Sequence, residues 1–171
     1  MNIRPTVTAD IEPALACLVR AFADDPITGF LLGTGPGYPD RLKRFFSLLM
    51  RARIALGIPV LVAHGDSGIV GATMGYSAAR PKWPADIAAE WDRFENDIPG
   101  VVERMAVYDG VAEIGKPTKP HYYLGVICSD PAVHCSGGGS QLLQAFCALS
   151  ADDPASAGVY LETANPSNVR F

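Results

Sequence analysis

The sequence predicts a mixed α/β domain, and three observations point there. Short β-rich runs alternate with segments whose apolar residues recur at helical spacing, in the order β-α-α-β-β-(αα)-β-α-β. The 171 residues are the length of one ordinary domain, and 49% are apolar against 19% charged, enough for a core and too apolar for a disordered chain. No internal repeat or low-complexity tract breaks the pattern.

The elements follow in order. Ile3–Val7 alternates and reads as an edge strand. Ile11, Leu15, Leu18, Val19 and Phe22 then mark a helix. Asp10 is its best N-cap, because Pro13 then falls at N3, where a missing amide hydrogen costs nothing. Pro26 and the cluster Gly33-Thr34-Gly35-Pro36-Gly37 mark a loop. Pro39 opens a second helix with the apolar face Leu42, Phe45, Phe46 and Leu49, and Gly57 closes it in the left-handed cap position. Pro59–His64 and Ile69–Ser77 form a hairpin across Gly65-Asp66-Ser67-Gly68.

Between Pro81 and Pro120 the residues Trp83, Ile87, Trp91 and Phe94, then Val101, Val102 and Met105, recur at roughly helical spacing. A two-helix insert over about 82–118 is expected. The aromatic trio Trp83, Trp91 and Phe94 suits either a helix-to-sheet core or the wall of an acceptor site. His121–Ser129 carries no Asp, Glu, Lys or Arg and is apolar on both faces, which places it in the sheet centre. Tyr122 and Tyr123 alternate, so one faces the core and the other a cleft. Leu142, Leu143, Phe146 and Leu149 give a helix ending near Asp152-Asp153-Pro154. Val159–Thr163 is the last strand, and Asn165-Pro166 starts a new element.

Charge and composition narrow the function. Fourteen basic against eighteen acidic side chains leave a net charge of −4, which argues against nucleic-acid binding. Apolar runs such as Ile58–Ala63 are too short to span a bilayer, and Met-Asn-Ile-Arg-Pro lacks the plan of a secretory signal, so no membrane role is expected. Cys17, Cys128, Cys135 and Cys147 show neither a CxxC pair nor zinc spacing. They read as reduced thiols of a cytoplasmic protein with no metal site.

Chemistry concentrates in one unit: the strand His121–Ser129, the loop after it, and the helix from Ser140. The loop is His134-Cys135-Ser136-Gly137-Gly138-Gly139-Ser140. Its glycines permit positive φ and close backbone approach, and successive amides at a helix start make a concave, positively polarised nest for phosphate. No Asp or Glu fills the helix's first two turns, which leaves the dipole to an external anion. A Gly/Ser linker would share this composition, but a buried strand and an apolar-faced helix pin both ends. Gln141 follows Ser140 where a P-loop needs Lys, and the contiguous glycines lie too late in the chain for a dinucleotide fingerprint.

These residues resemble the signature loop of the GNAT superfamily, the acetyl-CoA-dependent N-acetyltransferases. That loop reads Gln/Arg-x-x-Gly-x-Gly/Ala, and His134-Cys135-Ser136-Gly137-Gly138-Gly139 matches it with His in the first place. Three other stretches agree in order: Ile3-Arg4-Pro5 with Ala9-Asp10-Ile11, Leu61-Val62-Ala63 with Ile69-Val70-Gly71-Ala72, and Leu161–Asn168. The resemblance implies a mixed, mostly antiparallel sheet with a central parallel, splayed strand pair and flanking helices. It implies acetyl-CoA as co-substrate and a small-molecule amine as acceptor. The pantetheine arm would bond backbone at Ile127, Cys128 and Ser129, and the pyrophosphate would sit on amides from Cys135 to Ser140, with His134 aiding only when protonated. Asn165 and Asn168 match the turn that reaches the cofactor arm; each could equally cap the following helix.

Two departures stand out. There is no Lys or Arg from His121 to Val169, where relatives carry at least one near the phosphates. The family's final aromatic pair, with the Tyr that protonates the departing thiolate, and its last strand would follow Phe171. The single domain 1–171 therefore reads as lacking the last helix and strand, to be supplied by residues beyond Phe171 or by a partner subunit, a homodimer.

Glu162, on the strand beside the gap, is the candidate base; its bland reading is a carboxylate paired for structure. Cys128 inside a strand reads as core packing rather than a nucleophile. The alternative to catalysis is a non-catalytic acyl-CoA-binding module or a truncated or swapped GNAT-like subunit.

Overall fold

The computed structural model of the protein describes residues 1–66, 68–133, 137–165 and 168. A five-stranded mixed sheet runs in the order β1 (Asn2–Pro5), β2 (Val60–Gly65), β3 (Gly68–Tyr76), β4 (Tyr122–Ser129) and β5 (Val159–Tyr160). The first three pairings are antiparallel and β4/β5 is parallel. Six helices flank it: α1 (Ile11–Ala21), α2 (Pro26–Leu32), α3 (Tyr38–Ala55), α4 (Ala85–Asn96), α5 (Val101–Gly115) and α6 (Gly138–Ala151).

Alternation along β2 divides the interior in two. Val60 and Val62 join the core under α1 and α3, with Leu15, Leu18, Leu42 and Phe46. Leu61 and Ala63 join the core under α6, with Leu142 and Phe146. Glycines on β3 let α6 approach. A Cβ on Gly75 would lie 2.2 Å from Phe146 Cζ, and one on Gly71 would lie 2.9 Å from Leu142 Cδ1. The two-helix insert is present as α4 and α5; its Trp91 packs on α3, 5.8 Å from Phe45 centroid to centroid, while Trp83 donates to the Tyr76 hydroxyl at the end of β3.

Four expectations need correction. Residues Pro26–Leu32 form a helix, not a loop: Asp25 accepts the Thr28 amide at 2.8 Å and Pro26 sits in the first turn, so the proline starts an element instead of breaking one. The first strand is Asn2–Pro5, not Ile3–Val7, because a 3-10 turn begins at Thr8. Asp10 does not cap α1 with its side chain; its carboxylate turns back to Arg4 (2.5 and 2.9 Å) and to the Val7 amide (2.9 Å). The last strand keeps only Val159 and Tyr160 of the expected Val159–Thr163.

The fold class stands otherwise as read. Gly57 ends α3 at φ +65°. No described helix is long and apolar enough to cross a membrane. The expected start of a further helix falls largely on residues 166–167 and 169–171, outside the described residues.

Candidate active site

Strand β4 carries a bulge. Its register with β3 runs Met74↔Val126 and then Gly75↔Leu124, so Gly125 is the extra residue. The bulge resets the strand's alternation. Tyr122 and Leu124 point into the α6 core, while Val126 and Cys128 point into the α1/α3 core. Tyr122 is therefore the core tyrosine, edge-on to Phe146 at 5.9 Å. Tyr123 faces the other way, its ring lying against Gly125, where a Cβ would come within 2.9 Å of Tyr123 Cε1.

Beside the bulge the sheet opens. The parallel ladder consists of two pairs, Tyr122↔Val159 and Tyr123↔Tyr160, and ends there. From Leu124 to Ser129 the strand has no β5 partner among the described residues. Ile127, Cys128 and Ser129 all lie on this unpaired stretch. Cys128 itself is a core thiol: 6% exposed, with Sγ 4.0 Å from Cys17 Sγ, and pushed up by that neighbour and by burial.

The strand ends where Asp130 turns the chain. Its carboxylate accepts the Ala132 amide at 3.0 Å and pairs with Arg20 from α1, and its own amide donates to Val70. His134, Cys135 and Ser136 lie outside the described residues. The chain resumes at Gly137, left-handed at φ +78°, which is the N-cap of α6. Gly138, Gly139 and Ser140 form the first turn, where helical amides have no intrahelical acceptor, and that turn holds no acid. A shallow hollow of about 850 Å³, lined by Arg4, His64, Val70 and Val133 among others, opens at the foot of this loop and does not reach the gap between β4 and β5.

Glu162 sits two residues past β5, among three phenols. Tyr108 of α5 and Tyr123 of β4 each donate to Oε1 at 2.7 Å, and Tyr160 donates to Oε2 at 2.9 Å. Tyr123 and Tyr160 stack at 6.0 Å. Burial first, then the carboxylate nearby, pushes the Tyr108 phenol up to about 12, and burial drives Tyr123 higher still. All three remain hydrogen-bond donors at working pH. A carboxylate has about four lone-pair positions, and three are taken, which leaves one on Oε2.

Asn165 and Asn168 belong to one turn. The Asn165 amide donates to Thr163 Oγ1 at 3.1 Å, and the Asn168 amide donates to the Asn165 carbonyl at 3.0 Å. Tyr108 was invisible to sequence reasoning, since charged and apolar residues are mixed on every side of α5 and no single face marks which residue turns inward. Tyr160 left a signal: it lies two residues before Glu162.

No protein-family model matches the chain, and no curated protein does. Solved structures do. A histone acetyltransferase HPA2 and related acetyltransferase from Corynebacterium glutamicum superposes with TM-score 0.73 at 24% identity, covering 99% of this chain and 80% of that one. A polyamine N-acetyltransferase from Drosophila melanogaster, which catalyses formation of N-acetylagmatine, gives 0.66 at 17% identity, over 99% and 78%. A GNAT family acetyltransferase from Brucella melitensis in complex with acetyl-CoA gives 0.54 at 16%, over 99% and 80%. The chain has the fold of the GNAT acetyltransferases.

Proposed function

We propose that this protein is an N-acetyltransferase that moves an acetyl group from acetyl-CoA to a primary amine of a small molecule by direct attack in a ternary complex. The observation that carries this reading is the parting of β4 and β5 after Tyr123, beside a bulge and ahead of a glycine-headed helix. An extended amide-bearing arm fits such a gap as an added strand would, on backbone from Ile127 to Ser129. The amides of Gly138, Gly139 and Ser140 suit its pyrophosphate, together with the loop His134–Ser136. With no Lys or Arg from His121 to Val169, that grip rests on amides and the helix dipole, aided by His134 only when protonated. The Corynebacterium, Brucella and Drosophila structures support acyl transfer with acetyl-CoA onto an amine.

Acetyl-CoA supplies a thioester carbonyl. The amine nitrogen forms the new C–N bond, the C–S bond breaks, and the thiolate takes a proton from water. The remaining lone pair of Glu162 Oε2 accepts the amine's proton, while the three phenols hold the carboxylate still.

The alternative, an acyl-CoA-binding module, draws on the same three phenols, since they would also anchor a purely structural carboxylate. Thiol release from acetyl-CoA across a panel of amines separates the two. Amine-dependent release supports catalysis; thermal protection by acetyl-CoA without release supports the module. Equal protection by acetyl-CoA and NAD counts against both.

A further inference from the structure

A second group of side chains lies against the Glu162 cluster. Tyr76 ends β3 and pairs in register with Tyr123. Two guanidiniums lie over its ring: Arg53 Cζ is 4.4 Å from the centroid and Arg80 Cζ is 5.4 Å away. Arg80 is also 5.4 Å from the Tyr123 centroid. Arg53 is 3% exposed and donates Nε–H to the Gly75 carbonyl (3.0 Å) and Nη1–H to the Leu49 carbonyl (2.9 Å). Arg80 lies on the exposed loop before α4, and among the described residues its side-chain hydrogen-bond partner is His121, with Nη2 3.4 Å from Nε2. His121 Nδ1 in turn donates to the Lys119 carbonyl at 2.8 Å, which leaves Nε2 to accept from Arg80.

The charges here do not balance. Arg4, Arg20, Arg44 and Arg51 each pair with a carboxylate; among the described residues Arg41, Arg53, Arg80, Arg93 and Arg104 do not, and of these Arg53 and Arg80 share one ring, Tyr76. Arginine stays protonated, so two like charges share one aromatic ring in partly desolvated surroundings. The nearby carboxylate of Glu162 bonds to Tyr123 rather than to Arg80, and three of its acceptor positions go to phenols. Among the described residues most of Arg80's guanidinium donors have no protein acceptor.

We propose that Arg80, backed by Arg53, is an anion-recognition site, and that the amine acceptor carries a carboxylate or phosphate group. This rests on the N-acetyltransferase reading. Tyr123 sets the spacing: its ring lies under Arg80 and its hydroxyl is on Glu162. An acceptor about one phenol ring long can place its anion on Arg80 and its amine at Glu162. An ω-amino acid or an aminoalkyl phosphate has that shape. A polyamine would bring a second cation to Arg80 and be repelled.

The test compares matched acceptors, 4-aminobutyrate against n-butylamine and phosphoethanolamine against ethanolamine, in the wild type, Arg80→Gln and Arg80→Lys. Wild type should favour the anionic member by about tenfold or more in kcat/KM, as a charge-assisted contact implies. Arg80→Gln should reduce that preference to within about twofold, and Arg80→Lys should restore part of it. The stronger of the two preferences tells carboxylate from phosphate. Turnover of all amines with no anionic preference overturns the inference and leaves the acetyltransferase reading intact. If no amine is turned over, that reading fails, and binding decides the anion site. Trp83 donates to the Tyr76 hydroxyl at 2.7 Å, so its fluorescence reports on the cluster. A saturable change with 4-aminobutyrate, absent with n-butylamine and lost in Arg80→Gln, supports the site; no such difference overturns it.

Discussion

The Tyr123 hydroxyl donates a 2.7 Å hydrogen bond to Glu162 Oε1, tying β4 to the segment beyond β5 just where the two strands part. The bond holds the mouth of the gap at one width. It also fixes which carboxylate oxygen is left for an incoming proton.

Glu162→Gln can keep an acceptor oxygen for Tyr108 and Tyr123 but then presents N–H where Oε2 stands, towards Tyr160 and the incoming amine. Amine-dependent thiol release should fall by about 10² to 10⁴-fold, the range for losing a positioned base. Protection by acetyl-CoA against heat should persist. Release within twofold of wild type would make Glu162 a structural anchor.

Gly137→Asp puts a Cβ at φ +78° and a negative charge where the first turn of α6 is open to an anion. Acetyl-CoA at a hundred times its Kd should protect the wild type by roughly 2.7 kcal/mol, and the variant by almost nothing. Thermal melts with and without ligand read this directly. A variant that folds and keeps the protection places the phosphates elsewhere.

Thr73 is fully buried, and its hydroxyl has no hydrogen-bond partner among the described residues. Thr73→Val keeps the shape and removes the desolvated group, so stability should rise by about 1 kcal/mol. Urea unfolding with an unchanged m-value is the check.

Gly75→Ala drives a methyl into Phe146, at 2.2 Å from Cζ, and into the Tyr123 carbonyl, at 2.6 Å. Overpacking of this kind costs about 1–3 kcal/mol. The ring can shift but the carbonyl cannot, so Phe146→Leu should recover only part of the loss.

Asp10 and Asp130 are held below the usual carboxylate range, each chiefly by its arginine, Arg4 and Arg20. A depressed folded-state value means the stabilisation is complete above the unfolded value of about 3.9 and is lost as pH falls through the folded one. Melting temperature should therefore be flat in these groups at neutral pH and drop steeply in acid. Asp130→Asn should flatten part of that drop; an unchanged acid limb would show the Arg20 pair to be without effect.

Much of the frame was legible because apolar spacing, prolines and glycines act locally. The hairpin, the insert and the glycine-headed helix could all be read in order. What escaped depends on contacts between distant residues. Asp25-Pro26 starts α2 through a side-chain cap that looks like loop chemistry. Gly125 looks like any strand residue until its register with β3 is known. Tyr108 meets Glu162 across 54 positions, from a helix whose charged and apolar residues are mixed on every side, so no face orients it.

The bulge at Gly125 makes β4 serve two interiors, its first half under α6 and its second under α1 and α3. One strand thus works as a shared staple between the two cores. Neither can melt by itself without pulling the other's residues into water. The two halves of β4 should therefore lose amide-exchange protection together, at the free energy of global unfolding, although they face opposite sides of the sheet.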